Sequence, residues 1–268
     1  MTSGSGRNNP HDATACRSFP ERRYRKPPVI EALCEVYFAD SAWDGTVPGV
    51  FYERIKMDYP RKQQKRIQQA QIAVGPDQAM AGVRQLPSWM QFVSDEKHRM
   101  IQLAENLVVV NQLAPYTHFE DWEPEIYRAF ELYREVAHPK SVVRLGMRYI
   151  NRVVIPAETF RMEEYFTIYP ALPKVLGNTY RSFLVQVDSH REGQNHVILI
   201  TFGTAPPPEQ TQLAHAFVLD FYDILEDQCL DAERFRKEVE RAHENIVAVF
   251  EASITDRLRC LFEEEPIQ

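Results

Sequence analysis

The sequence predicts an α+β protein in which duplicated strand, helix, meander and helix units form a curved antiparallel sheet with its helices on one face. Three observations lead there. A strand-like run opens each half, Val29 to Ala39 (VIEALCEVYFA) and Val142 to Ile155 (VVRLGMRYINRVVI). Further hairpin material follows each run, and a long amphipathic helix closes each half.

Residues 1–26 are rich in Gly, Ser, Asn, Arg and Pro without an apolar period, and read as a flexible basic arm. The first half is assigned to residues 27–139. There Ile30, Ala32, Cys34, Val36 and Phe38 alternate on one face with Glu31 and Glu35 on the other, the period of a half-buried strand. Asp44-Gly45 turns the chain, and Pro48 falls in the first turn of a helix carrying Val47, Phe51 and Ile55, which ends at Tyr59-Pro60. Strands are expected over Arg66 to Val74, Ala81 to Ser94, His98 to Ala104 and Leu107 to Leu113. A helix from about Phe119 to Ala137 follows, with Trp122, Ile126, Phe130, Tyr133 and Ala137 as its apolar stripe, and His138-Pro139 stops it.

The second half, residues 140–268, repeats the layout. After the 142–155 strand comes a polar stretch with weak helical character, Ala157 to Tyr165. Strands near Tyr180 to Ser189, His196 to Phe202 and Leu213 to Tyr222 form the second meander. Phe235, Val239, Ala242, Ile246, Phe250, Ile254, Leu258 and Leu261 recur by threes and fours, which predicts one closing helix of about eight turns. Asp231 is placed to cap it, with Leu230 and Phe235 as a hydrophobic staple. The two halves packed as one unit have the topology of a TATA-binding-protein-like saddle, an analogy of shape that carries no DNA-binding claim.

Bulk properties bound the function. The chain has 268 residues, 44% of them hydrophobic, ample for a buried core. No apolar run approaches the ~18 residues of a membrane span, and no signal-like stretch opens the chain, so the expected compartment is the cytoplasm without a membrane partner. Cys16, Cys34, Cys229 and Cys260 are scattered, without metal-ligand or redox spacing. The formal charge of −7 is unevenly placed. Residues 1–26 hold six Lys/Arg against Asp12 and Glu21, whereas residues 206–268 hold six Lys/Arg against fifteen Asp/Glu.

The sharpest constellation lies on the two opening strands. Arg144, Arg148 and Arg152 are four apart, roughly 13 Å on one strand face, and Glu31 and Glu35 share that spacing on the first strand. Read functionally, they form a charged face that binds a phosphate, a nucleic acid backbone or an acidic peptide; read structurally, they form a ladder that satisfies itself. A second basic cluster, Arg54, Lys56, Arg61, Lys62, Lys65 and Arg66, surrounds the end of the first helix, where cations favour the dipole. Asp188, His190, His215, Asp220 and Asp223 hold metal-ligating groups, but His215 and Asp220 have opposite strand parity, which argues against a shared ion. His243 and Asn245 are polar residues beside the apolar stripe of the last helix, placed to bond the sheet or line a pocket. The chain has no Gly-rich phosphate loop, nucleophile elbow, His-Glu-x-x-His or Cys/His zinc pattern, so neither cofactor, metal nor catalytic residue is predicted.

The segments PPVIEALCEVYF (Pro27 to Phe38), Tyr116 through Trp122, RLGMRYINRVVIP (Arg144 to Pro156) and HENIVAVFEASIT (His243 to Thr255) together resemble a sporadically distributed bacterial family of this length, over residues 27 to 262. The family has no established activity, so the resemblance implies no catalytic residue. Patchy distribution of this kind accompanies mobile elements and anti-phage defence, and implies that setting. The expected function is a non-enzymatic binding or adaptor protein with a protein partner, self-association being open to its edge strands. The alternative is a pocket-containing enzyme, or a sensor of a ligand or nucleic acid that uses the sheet-face arginines.

Overall fold

A computed structural model of the protein describes residues 22–65, 68–74, 79–85, 89–96, 98–176, 180–190, 193, 195–207, 214–226 and 230–265. It is an α+β fold around a nine-stranded antiparallel sheet. In chain order the elements are β1 (Val29–Ala39), α1 (Val47–Ile55), β2 (Arg61–Lys65), β3 (Gln68–Val74), β4 (Ala79–Gln85), β5 (Trp89–Ser94), β6 (Arg99–Ala104), β7 (Leu107–Leu113) and α2 (Phe119–Ala137). Then come β8 (Ser141–Ile155), β9 (Leu184–His190), β10 (His196–Ala205), β11 (His215–Glu226), α3 (Ala232–Ser253) and α4 (Asp256–Phe262).

The sheet order is β2-β5-β6-β7-β1-β8-β11-β10-β9, while β3 and β4 form a separate hairpin. The two opening strands are central neighbours, with Cys34 opposite Met147. One sheet face carries the helices. Ala32, Cys34, Val36 and Phe38 of β1 alternate into that core, where Phe38 stacks on Tyr133 of α2 at 4.4 Å and Phe130 of α2 stacks on Phe235 of α3 at 3.8 Å. Aromatic pairs contribute about 0.5–1.5 kcal/mol beyond area burial. The opposite face has a smaller cluster made of strand residues, Ala104, Leu107 and Val109 with Leu33, Tyr37 and Trp89.

Several expectations need correction. Ile30 was assigned to the core face, but the β1–β8 register shifts between Val29 and Glu31 and leaves it 41% exposed. The basic run after α1 is not simply a helix end, because Arg61–Lys65 extends as edge strand β2 against β5. The expected Ala81 to Ser94 strand is two elements, β4 and β5. The closing helix is interrupted: Ser253 and Thr255 exchange backbone bonds with 165–167, Ile254 is extended, and Thr255 caps α4 through Leu258 N. A β-branched Ile-Thr pair suits that extended link, although the apolar period runs through it. The Asp231 cap is as expected, accepting from Arg234 N at 2.8 Å.

The boundary of the arm also moves. Arg23 and Arg25 exchange backbone bonds with Glu265 and Glu263, and Tyr24 donates to Glu251 at 2.6 Å. Residues 22–26 thus form a strap on the C-terminal segment; the rest of the arm lies outside the described residues.

Candidate functional site

The arginine row is divided by the structure. After the register shift that turns Val142 into the core, Arg144, Gly146, Arg148 and Arg152 of β8 alternate with the core residues Leu145, Met147 and Val153, and Gly146 lies between Arg144 and Arg148 on the face away from the helices. A Cβ at Gly146 would meet Tyr222 at 2.8 Å and Glu35 at 2.9 Å, so its absence lets Tyr222 lie across β8 and donate to Glu35. Arg144 also bonds Tyr222, approaches Glu35 at 3.4 Å and packs over the Tyr37 ring at 5.0 Å. Arg148 is bidentate to Asp220, at 2.8 and 2.5 Å. Its partner is therefore Asp220 of β11, whose carboxylate serves an ion pair and not a metal-ligand set. Burial raises the Glu35 pKa, against the lowering effect of Arg144 and Arg148.

Glu31 instead ends a file of amides. Gln63 donates to Gln91 at 2.8 Å, Gln91 to Gln102 at 2.7 Å, Gln102 to Asn111 at 3.0 Å, and Asn111 to Glu31 at 2.7 Å. Residues this far apart in sequence meet only because β2, β5, β6, β7 and β1 are consecutive in the sheet.

A cavity of about 130 Å³ lies at the helix–sheet junction. Tyr149 and Asn151 reach it from β8, His243 from α3, Tyr116 and Phe119 from the start of α2, and Tyr24 from the strap. Tyr116 OH lies 3.2 Å from Tyr149 OH, which lies 2.9 Å from His243 Nδ1. The imidazole stacks on Phe119 at 4.0 Å. Burial lowers the His243 pKa to about 4 and raises those of Tyr116 and Tyr149, so the chain is uncharged at neutral pH. Asn151, 2% exposed, donates to Leu219 O at 3.0 Å. Its Oδ1 and the Nε2 of His243 have no protein hydrogen bond among the described residues.

Asn245, proposed with His243, does not reach this cavity. It donates to Asp223 at 2.9 Å, within a buried group where His196 bonds Asp223 through Nδ1 and Glu238 through Nε2 at 3.1 Å. Burial opposes charge on His196, but the two carboxylates outweigh it and raise its pKa.

On the other side of Pro27–Val29 is a more open cleft of about 780 Å³, lined by Arg25, Arg152, Ile30, Pro115, Tyr116 and Pro207 among others. Arg152, third in the arginine row, donates to Pro206 O at 2.7 Å and has no carboxylate partner among the described residues.

The second basic cluster does not converge on one point. Lys56 pairs with Glu53 at 2.5 Å, Arg54 with Glu135 at 3.9 Å and Arg61 with Asp95; Lys62 covers the Tyr52 ring at 4.1 Å. Lys65 is exposed on β2, and Arg66 lies outside the described residues. Among the described residues no three His, Cys, Asp or Glu side chains are arranged to hold a metal ion. No described helix is long and apolar enough to cross a membrane. No family model matches the chain, and no curated protein does so.

Proposed function

We propose that the chain is a non-enzymatic binding protein, an adaptor that couples a small ligand in the helix–sheet cavity to a protein partner. The observation that carries this reading is the pair Asn151 Oδ1 and His243 Nε2, two polar atoms without a protein partner in a mainly apolar cavity. Asn151 Oδ1 accepts, and Nε2 carries the proton in the tautomer in which Tyr149 donates to Nδ1, so the pair favours a ligand that supplies one donor and one acceptor. A neutral imidazole with so low a pKa is a weak base, and phenols with raised pKa keep their protons, so the Tyr116, Tyr149 and His243 chain suits recognition better than proton transfer. The strap that walls the cavity leads directly into the basic arm, which gives ligand occupancy a route to a partner. The bacterial defence or mobile-element setting rests on the family resemblance.

Purification from the host, with mass spectrometry of co-purifying proteins and of molecules released on denaturation, tests this. A stoichiometric partner whose recovery falls in Asn151→Leu and His243→Phe supports the reading. Protein recovered alone, or a partner indifferent to both changes, overturns it.

A second reading is favoured by the exposure of the sheet-face pairs. Arg144 and Arg148 are 30% and 41% exposed, above Glu35 and Asp220 at 15% and 10%. Guanidinium edges flanked by Tyr37 and Tyr222 suit an acidic peptide or a nucleic acid backbone. Loss of salt-sensitive binding to polyglutamate or single-stranded DNA in Arg144→Gln/Arg148→Gln tests it. We also infer that the halves are copies of one unit forming a saddle: β1 is flanked by β8 and by β7, the strand before α2, and β8 by β1 and by β11, the strand before α3. Among the described residues β2 and β9 have a strand on one side only, which suits pairing with a second copy.

A further inference from the structure

We propose that the cleft outside Pro27–Val29 is a second binding site, for a small organic phosphate of nucleotide size. This goes beyond the cavity reading and does not depend on it. Two guanidiniums enter the cleft, Arg25 from the strap and Arg152 from β8, and none of the described residues that line it is an aspartate or glutamate. Arg25 has no side-chain hydrogen bond or ion pair among the described residues, and Arg152 uses one Nη on Pro206 O. Lys26 also lines the cleft but is held by Glu263, and adds no free charge.

The contrast along β8 is informative. Arg144 and Arg148 each have an internal carboxylate, whereas Arg152, in the same row, is left with a carbonyl and a second cation. A phosphate monoester dianion matches two guanidiniums in charge and in the geometry of their donor forks, while a monocarboxylate would leave one unmatched. The remaining walls, Ile30, Val154, Pro115, Pro207 and the Tyr116 ring, suit an apolar or aromatic body. A cleft of about 780 Å³ is in the size range of small-molecule sites.

Calorimetry with adenosine monophosphate, adenosine, inorganic phosphate and a short oligothymidylate tests the assignment. Adenosine monophosphate is expected to bind saturably and more tightly than adenosine or inorganic phosphate. Arg25→Gln and Arg152→Gln should each weaken it by about tenfold or more, as loss of a charge-assisted bond predicts. Both side chains are exposed, so an unchanged thermal midpoint checks that the variants fold. Equal binding of adenosine, equal binding of inorganic phosphate, tighter binding of the oligonucleotide, or insensitivity to both substitutions would each overturn the proposal.

Discussion

Asn111 donates its side-chain amide to Glu31 at 2.7 Å, and that bond closes a file of amides running across five strands. Each middle member both donates and accepts, so the file has a direction and a carboxylate at its accepting end. Asn111 is 0% exposed, so its amide is out of reach of bulk solvent. Replacing it by Ala strips Gln102 of its acceptor and Glu31 of its donor. Asn111→Ala should therefore lower stability by about 1–3 kcal/mol in urea denaturation. A loss under about 0.5 kcal/mol would mean that the file rearranges freely.

Gly146 has a steric role that a turn glycine lacks. Because a Cβ there would overlap Tyr222 and the Glu35 side chain, Gly146→Ala is expected to displace Tyr222 and cost roughly 1–3 kcal/mol. Pairing the change with Tyr222→Ala should restore much of the loss; strict additivity in that double-mutant cycle would contradict the assignment.

The pKa values of buried His196 and half-buried His243 are shifted in opposite directions. His196 has a raised folded pKa, so its stabilising contribution is complete below the unfolded value near 6.5 and is lost as pH rises through the folded value. His243 has a folded pKa of about 4, so its contribution is complete above 6.5 and declines as pH falls from there toward 4, by up to about 3 kcal/mol. His196→Gln should remove stability on the acid side of neutrality, and His243→Phe should flatten the decline between 6.5 and 4. Chemical denaturation across that range reads both, and identical profiles for the two variants would refute the pairing scheme.

Glu35 behaves unlike a typical paired acid. Its folded pKa is raised above 4.5, mainly by burial, so stability relative to Glu35→Gln should be greatest below 4.5 and fall as pH rises through the folded value. A gain over that interval would show that Arg144 and Arg148 outweigh burial.

Thr255 joins the two C-terminal helices. It caps α4 and donates its hydroxyl to Glu164 O at 2.6 Å. Thr255→Ala should cost about 1–2 kcal/mol and increase amide exchange in 256–262 first; exchange rising evenly along α3 would instead point to one cooperative helix.

The limits of the sequence follow from which interactions are local. The α2 boundaries were legible because stripe and stop signal lie in one segment, with His138 in the left-handed C-cap position that ends it. The α3–α4 break was not, since Ile254, Leu258 and Leu261 continue the helical period while the interrupting partners lie at 165–167. Alternation placed Arg144 and Arg148 on one face, but only the β8–β11 register brings Asp220 and Tyr222 to them. His243 was legible as a polar group beside an apolar stripe; Asn151 was missed, because a strand amide gives no sign in sequence of which of its atoms will lack a partner.

The strap has a mechanical consequence. Arg23 and Glu265 form one end of the short antiparallel pair, Arg25 and Glu263 the next step inward, so the two outer ends of the pair, at residues 22 and 265, lie at the same end of that ladder. A tension applied between the two ends would load these bonds in succession and not together. The clasp therefore opens like a zipper at low force, exposing the wall it lends to the cavity while the nine-stranded sheet, loaded only afterwards, stays intact.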